Sequence, residues 1–129
     1  MNVWYLDTSA ILKLIILEKE SLALRAFIGK ENITSSYTRL EVARTLKEYS
    51  PGVHKTAGLV LKTLALVPID AALISRAQLI IETSELKAPD ALHVASALQS
   101  APLIAGIITY DNQMADTVSR LGVRVEAPK

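Results

Sequence analysis

With 129 residues, half of them apolar, and a positive mean hydropathy of +0.31, the chain is long enough to bury one core and too short for two, and the composition excludes disorder. Fourteen basic against thirteen acidic side chains give a net charge of +1, so total charge does not point to nucleic acid as it does for strongly basic domains. The absence of cysteine excludes disulfides and thiolate metal sites, the apolar runs fall well short of the roughly 18 residues of a membrane span, and the N-terminus reads without a signal peptide, so a cytoplasmic protein without membrane association is expected.

Val3 to Leu6 reads as a short buried strand, and Asp7, Thr8 and Ser9 follow as capping residues before an apolar helix from Ala10 to Leu17. Ile33 to Ser36 is a second extended piece. A helical pattern then runs from Tyr37 to Tyr49, with Leu40, Ala43 and Leu46 at helical spacing, until Ser50, Pro51 and Gly52 stop it. A helix from Val53 to Thr63 leads into a third strand, Leu64 to Ile69, after which Asp70 caps a helix through Thr83. Ser84 to Ala88 is a polar connector, and Pro89 opens a helix that reaches Gln99. Leu103 to Thr109 is the fourth strand, the helix from Asn112 to Leu121 ends at Gly122 as its C′ residue, and Val123 to Glu126 is a last short strand. The order β, α, β, α, α, β, α, α, β, α, β, with short apolar strands, predicts an α/β fold: a parallel sheet covered by helices on both faces.

Four carboxylates, Asp7, Glu41, Asp90 and Asp111, lie far apart in the chain, each at or within a turn of a predicted helix start. Ligands of an open parallel sheet bind outside the carboxyl ends of its strands. Asp7 and Asp111 directly follow strands and Glu41 lies one turn into the helix after the second, so these three are expected at one edge. No strand precedes the helix of Asp90, which leaves its position to the fold. Each acid also has a local reading: Asp7 and Asp111 as caps, Thr38 with Glu41 as a capping box, Asp90 as a first-turn acid, just as Asp70 reads as a cap. If the acids meet, a cation is needed. Two carboxylates about 4 Å apart repel by roughly 4 kcal/mol at an effective dielectric near 20, so a cluster takes up protons or metal. An all-oxygen set suits Mg²⁺ or Mn²⁺, which complete their shells with water and phosphate oxygens.

Four segments carry a resemblance: LDTSAIL from Leu6 to Leu12, TSSYTRLEVARTL from Thr34 to Leu46, LKAPDALHVASAL from Leu86 to Leu98, and ITYDNQMADTVSRLGV from Ile108 to Val123. In order and spacing they resemble PIN-domain ribonucleases, specifically the toxins of prokaryotic VapBC toxin–antitoxin pairs. The resemblance implies a single PIN domain over residues 1–129, a three-layer α/β/α fold whose mainly parallel five-stranded sheet has the order 3-2-1-4-5. It implies catalytic acids at Asp7, Glu41, Asp90 and Asp111, which bring Asp90 to the others. Asp7, Asp90 and Asp111 would hold one or two Mg²⁺ or Mn²⁺ ions. Glu41 is a further ligand candidate or the group that orients or deprotonates water, and Asp116 reads first as an exposed helix residue and second as an extra ligand. Thr8, Ser9, Thr109 and Asn112 would support the site. The implied reaction is hydrolysis of RNA phosphodiesters to 5′-phosphate and 3′-hydroxyl ends; the implied partners are RNA, a small VapB-type antitoxin and a second copy in a homodimer. The alternative is a PIN domain that binds RNA or a partner without cutting.

Among the cations near these acids in sequence, Arg39, Lys87 and Lys13 are the foremost candidates for phosphate contact, with Arg44 and Lys47 behind them. His93 is expected to pack or to bond within its helix, and His54 to face solvent. The nearly apolar circumference of the first helix leaves area for a dimer or partner helix. Receiver domains and haloacid-dehalogenase-type phosphatases are disfavoured by Thr8 and Ser9 where each would need further acids, and receivers also by the lack of lysine between Leu103 and Lys129.

Overall fold

A computed structural model describes residues 2–129, which form five strands and seven α-helices. The strands β1 (Trp4–Leu6), β2 (Asn32–Ser35), β3 (Leu64–Val67), β4 (Gly106–Ile108) and β5 (Val125–Glu126) make one all-parallel sheet in the order β3-β2-β1-β4-β5. The helices are α1 (Thr8–Ile15), α2 (Ser21–Phe27), α3 (Thr38–Thr45), α4 (Pro51–Lys62), α5 (Ala71–Glu82), α6 (Ala88–Gln99) and α7 (Asn112–Arg120). The predicted three-layer architecture and strand order are those observed.

The pleat of β1 divides the core. Trp4 and Leu6 pack with Ile11, Leu24, Val42, Ala57 and Ile108, which places α1 to α4 on one face. Tyr5 points the other way, with Leu73, Ala77, Val94, Ile107, Met114 and Val118 from α5, α6, α7 and β4. A strand buried on both faces has to be apolar throughout, as β1 is. Side chains reinforce its short ladder with β2: Trp4 N–H donates to Asn32 Oδ1 at 3.1 Å, and Thr34 Oγ1 donates to the Leu6 carbonyl at 2.7 Å.

The boundaries differ from the predicted ones where tertiary packing or proline decides. β3 stops at Val67 because Pro68 cannot donate to a ladder. β4 begins only at Gly106, since Ala101–Leu103 forms a 3₁₀ turn around Pro102 and leaves Leu103 exposed. The α3 helix ends at Thr45, four residues before the predicted end. The α2 helix carries no sequence signal strong enough to predict it: it is short, Glu20 gives it no side-chain cap, and only Ser21 and Leu24 are buried. It matters because α2, α3 and α4 pack on α1 within the chain, so the apolar circumference of the first helix is covered internally and is no argument for a partner.

The predicted stop at Gly122 is a complete Schellman motif. Gly122 has φ +80°, its N–H donates to Ser119 O at 3.0 Å, and Val123 N–H donates to Val118 O at 3.3 Å. Gly122→Ala places a Cβ in left-handed backbone and is expected to destabilise the fold by about 1 kcal/mol, read as a lower denaturant midpoint at unchanged slope; an unchanged midpoint would show that the motif carries no conformational constraint.

Candidate active site

Asp7 ends β1 and caps α1. Its Oδ1 accepts from Ala10 N–H at 3.0 Å and from Ser9 Oγ at 2.6 Å, and its Oδ2 accepts from Thr109 Oγ1. The side chain is buried, and burial raises its pKa above the ordinary aspartate value although those donors oppose the shift. Two hydroxyls relay the arrangement into β4 and beyond. Ser9 Oγ accepts from Tyr110 N–H at 3.0 Å, and Thr109 Oγ1 accepts from Asp111 N–H at 3.1 Å. Asp111 in turn caps α7 by accepting from Met114 N–H at 2.8 Å, with its side chain exposed. Asp70 is likewise a cap, on Leu73 N–H at 2.8 Å.

Glu41 does not close the capping box that its local reading offers. Tyr37 holds the N-cap position without a side-chain bond, and the Thr38 hydroxyl donates to Thr34 Oγ1 at 2.7 Å, since Thr34 gives its own proton to Leu6 O. Instead Glu41 reaches across the edge of the sheet. Its Oε1 accepts from Thr8 Oγ1 at 2.6 Å and lies 2.7 Å from His93 Nε2. Burial alone would raise its pKa, but the hydrogen bonds from His93 and Thr8 outweigh that and hold it below the ordinary glutamate value.

Asp90 is the third residue of α6, after Pro89. Its pKa is raised first by burial and then by the negative charges of Asp111, Asp7 and Glu41, so α6 brings it into the field of the other three acids. His93, one turn further along α6, touches both Thr8 and Glu41. Of the two expectations for His93, the ring packs, buried edge-on against Tyr5, and does not bond within its helix; it also bridges Glu41 to Tyr5 Oη, 2.8 Å from Nδ1. The signal available in the sequence was its spacing, which puts it on the same helix face as Asp90.

The remaining candidates separate clearly. Asp116 is exposed on α7; Asn112, the first residue of α7, is exposed beside Tyr110 and Glu20. Lys13 pairs with Glu20 at 3.1 Å and Glu18 at 3.8 Å and lies over the Tyr110 ring, so a phosphate would compete with two carboxylates for it. Arg39 turns towards α4, lining a cleft with Leu61, Lys62 and Leu66, whereas Lys87 is exposed at the N-cap of α6. Arg44, with Tyr37, Leu40 and Pro89, lines the cleft that contains Glu41.

Among the described residues no group of three or more His, Asp or Glu side chains stands close enough together to hold a metal ion. The donor set nonetheless suits a hard cation, which takes one or two carboxylates and keeps several waters. The Oε2 atom of Glu41 has no hydrogen-bond partner among the described residues, Asp111 is exposed, and the repulsion that raises the Asp90 pKa is the kind that a bound cation reverses.

Residues 4–119 match the PIN domain family model. The chain is 34% identical to Ribonuclease VapC46 of Mycobacterium tuberculosis over 99% of both chains, and 36% identical to Ribonuclease VapC35 of the same species over 96% of both. Among solved structures, a toxin–antitoxin complex from Klebsiella pneumoniae superposes with TM-score 0.76 at 23% identity over 98% of both chains. The Mycobacterium tuberculosis toxin VapC20, described as cleaving the sarcin–ricin loop, superposes with TM-score 0.73 at 17% identity over 98% of this chain and 99% of that one.

The pKa directions set the pH dependence of stability without metal. A raised carboxyl pKa means that the folded state binds the proton more tightly than the unfolded one, so Asp7 and Asp90 add stability as pH falls from neutral towards their ordinary value of 3.8. Glu41 acts in the opposite sense: its contribution is present above 4.5 and is lost as pH falls through its lowered folded value. In EDTA, Asp90→Asn is expected to raise the thermal midpoint by a few degrees at neutral pH and to weaken the parent's gain in stability on acidification to about pH 5. A lower midpoint at neutral pH would contradict the repulsion.

Proposed function

The chain belongs to the PIN-domain family, and from that premise we propose that it is a Mg²⁺- or Mn²⁺-dependent endoribonuclease, the toxin of a toxin–antitoxin pair, acting through Asp7, Glu41, Asp90 and Asp111. The observation that carries the proposal is the contact across the edge of the sheet: His93, one turn after Asp90 on α6, meets Glu41 of α3 and Thr8, the residue next to Asp7, so the helix that bears Asp90 is tied to the elements that bear Asp7 and Glu41. Whole-length relatives that are named ribonucleases support the reading.

Asp7, Asp90 and Asp111 would hold the cation, directly or through water. When bound, the cation lowers the pKa of a coordinated water and neutralises charge that builds up on the phosphorus oxygens and the leaving oxygen. The chain does the rest. The bonds to Asp7 from Ser9, Ala10 and Thr109 fix the direction of its carboxylate, so this residue would meet a cation without reorienting. Glu41, held ionised by its lowered pKa, is an acceptor at neutral pH and presents Oε2 to orient the attacking water or take its proton. Arg44, on the same cleft, supplies positive charge for the phosphate that follows or precedes the cut.

The reading extends to partners. The neighbouring fold occurs in a toxin–antitoxin complex, and Leu40, Leu59 and Leu66 on α3, α4 and β3 are exposed apolar side chains of the sort that a protein partner covers. We expect an antitoxin that lies across this region and occludes the acids, and a homodimer of the toxin.

Incubated with RNA and Mg²⁺, the protein is expected to leave 5′-phosphate and 3′-hydroxyl ends, with cleavage abolished by EDTA. Asp7→Asn and Glu41→Gln should each lower kcat by on the order of 100-fold or more, while Arg44→Ala should raise KM and flatten its salt dependence. Cleavage by Asp7→Asn at the parent rate would refute the assignment. Sedimentation at micromolar concentration is expected to return a dimer; a monomer would remove the homodimer from the proposal.

A further inference from the structure

The Tyr5–His93–Glu41 chain is a buried polar relay leading into the acid cluster, and the cleavage chemistry described above does not need it. Tyr5 projects from the α5–α7 face of β1 and is fully buried; His93 is 2% exposed; the chain ends on the one acid of the site that accepts from two side-chain donors and no backbone N–H. All buried side-chain polar atoms among the described residues have partners, so the relay is complete.

Hydrogen-bond chemistry assigns the direction of each bond. An ionised Glu41 only accepts, so at 2.7 Å the facing His93 Nε2 has to carry a proton; a bare nitrogen would set two lone pairs against each other. Thr8, 3.0 Å from Nε2, donates its own proton to Glu41 and can accept a share of the same N–H. In the neutral ring Nδ1 is then the acceptor, and the Tyr5 hydroxyl, which burial holds in its protonated form, is the donor placed 2.8 Å away. Both bonds to Glu41 fall on Oε1. A flexible glutamate is thereby pinned by one oxygen, and the other is left to the reacting water. The same helix carries Asp90 one turn before His93, so the bond also fixes the separation between the carboxylates of α6 and α3.

We propose that His93 is a positioning residue of the nuclease: its Nε2–H holds Glu41 by Oε1 so that Oε2 faces the attacking water, and Tyr5 fixes the tautomer that makes this possible. The proposal rests on the reading of Glu41 as the residue that orients or deprotonates water. His93 touches neither substrate nor cation and acts through Glu41.

Two measurements test it on the full-length protein. The chain has only two histidines, so long-range proton–nitrogen correlation spectra of the imidazoles, with His54→Gln for assignment, read the His93 tautomer without any substrate. A proton on Nε2 with bare Nδ1 is expected; a proton on Nδ1 alone overturns the proposal. In RNA cleavage, His93→Ala is expected to lower kcat by about 10- to 100-fold, as the loss of a group supporting an active-site ligand does, with KM within about twofold of the parent. His93→Gln, whose amide can still donate to Glu41, should recover most of the loss. In a Glu41→Gln background, His93→Ala should cost nothing further; additive losses, or no recovery by glutamine, would make His93 a packing residue and overturn the proposal. If the parent cuts no RNA, the nuclease reading falls, while the tautomer measurement still decides whether His93 holds Glu41.

Discussion

A carboxylate buried at the carboxyl end of the central strand is the costliest group in this structure, and much of the site exists to accommodate it. Moving an ion out of water carries an effective penalty of several kcal/mol even in a relaxed protein. Asp7 recovers part of it from charge-assisted bonds: a backbone N–H at the start of α1, the Ser9 hydroxyl and the Thr109 hydroxyl. The donors come from two parts of the fold, the start of α1 and the end of β4. Ala10 and Ser9 set the angle at which α1 leaves the sheet, while Thr109 ties β4 to β1 beyond their last ladder pair, Leu6 with Ile108. The raised pKa shows that the balance still lies against the charge. A position this unfavourable for an anion is favourable for an anion with a cation beside it.

The acids are not equivalent, and the difference comes from what surrounds them. Glu41 faces donors on neighbouring elements, Thr8 from α1 and His93 from α6, and its pKa falls. Asp90 is surrounded by burial and like charge, and its pKa rises. Groups of the same chemical type whose environments drive their pKa values apart mark a division of roles. Glu41 is held ionised at neutral pH and can accept a hydrogen bond from water, whereas Asp90 needs an external charge to become comfortable as an anion. The first suits a group that works on water, and the second one that binds metal.

What was legible in the sequence was the chemistry that stays local. Asp7, Asp70 and Asp111 cap their helices, Gly122 stops α7, and the short apolar strands pair in parallel, all from residue types and spacings that act over a few positions. What was not legible depends on groups distant in the chain. The motif of Thr38 and Glu41 is a valid capping box by spacing, yet Thr8, 33 residues before Glu41, and His93, 52 residues after it, offer its carboxylate better partners. His93 reads as one more residue on a buried helix face until Tyr5, 88 positions earlier, is opposite it. The α2 helix has too few buried side chains to declare itself by periodicity, and its existence shows only in how it covers α1.

Asp90 stands between these cases, because topology alone is enough to place it. Every strand of the sheet runs in the same direction, so β4 must start at the amino edge, where Ala105 N–H donates to Val3 O. The helix that feeds β4 therefore has to finish near that edge and must begin near the other, where Asp7 and Asp111 stand. Crossing to β4 next to β1, after β2 and β3 have been laid on its other side, also makes the gap between β1 and β4 the point where the winding reverses. Crevices of open α/β sheets form at such points. The first acid of the chain ends one strand of that gap, Asp111 follows the other, and Asp90 begins the helix that makes the return. The convergence is a consequence of chain direction in a parallel sheet, and it would hold for any acid placed at the start of α6, which is why the identity of the residue there, more than its location, carries the functional information.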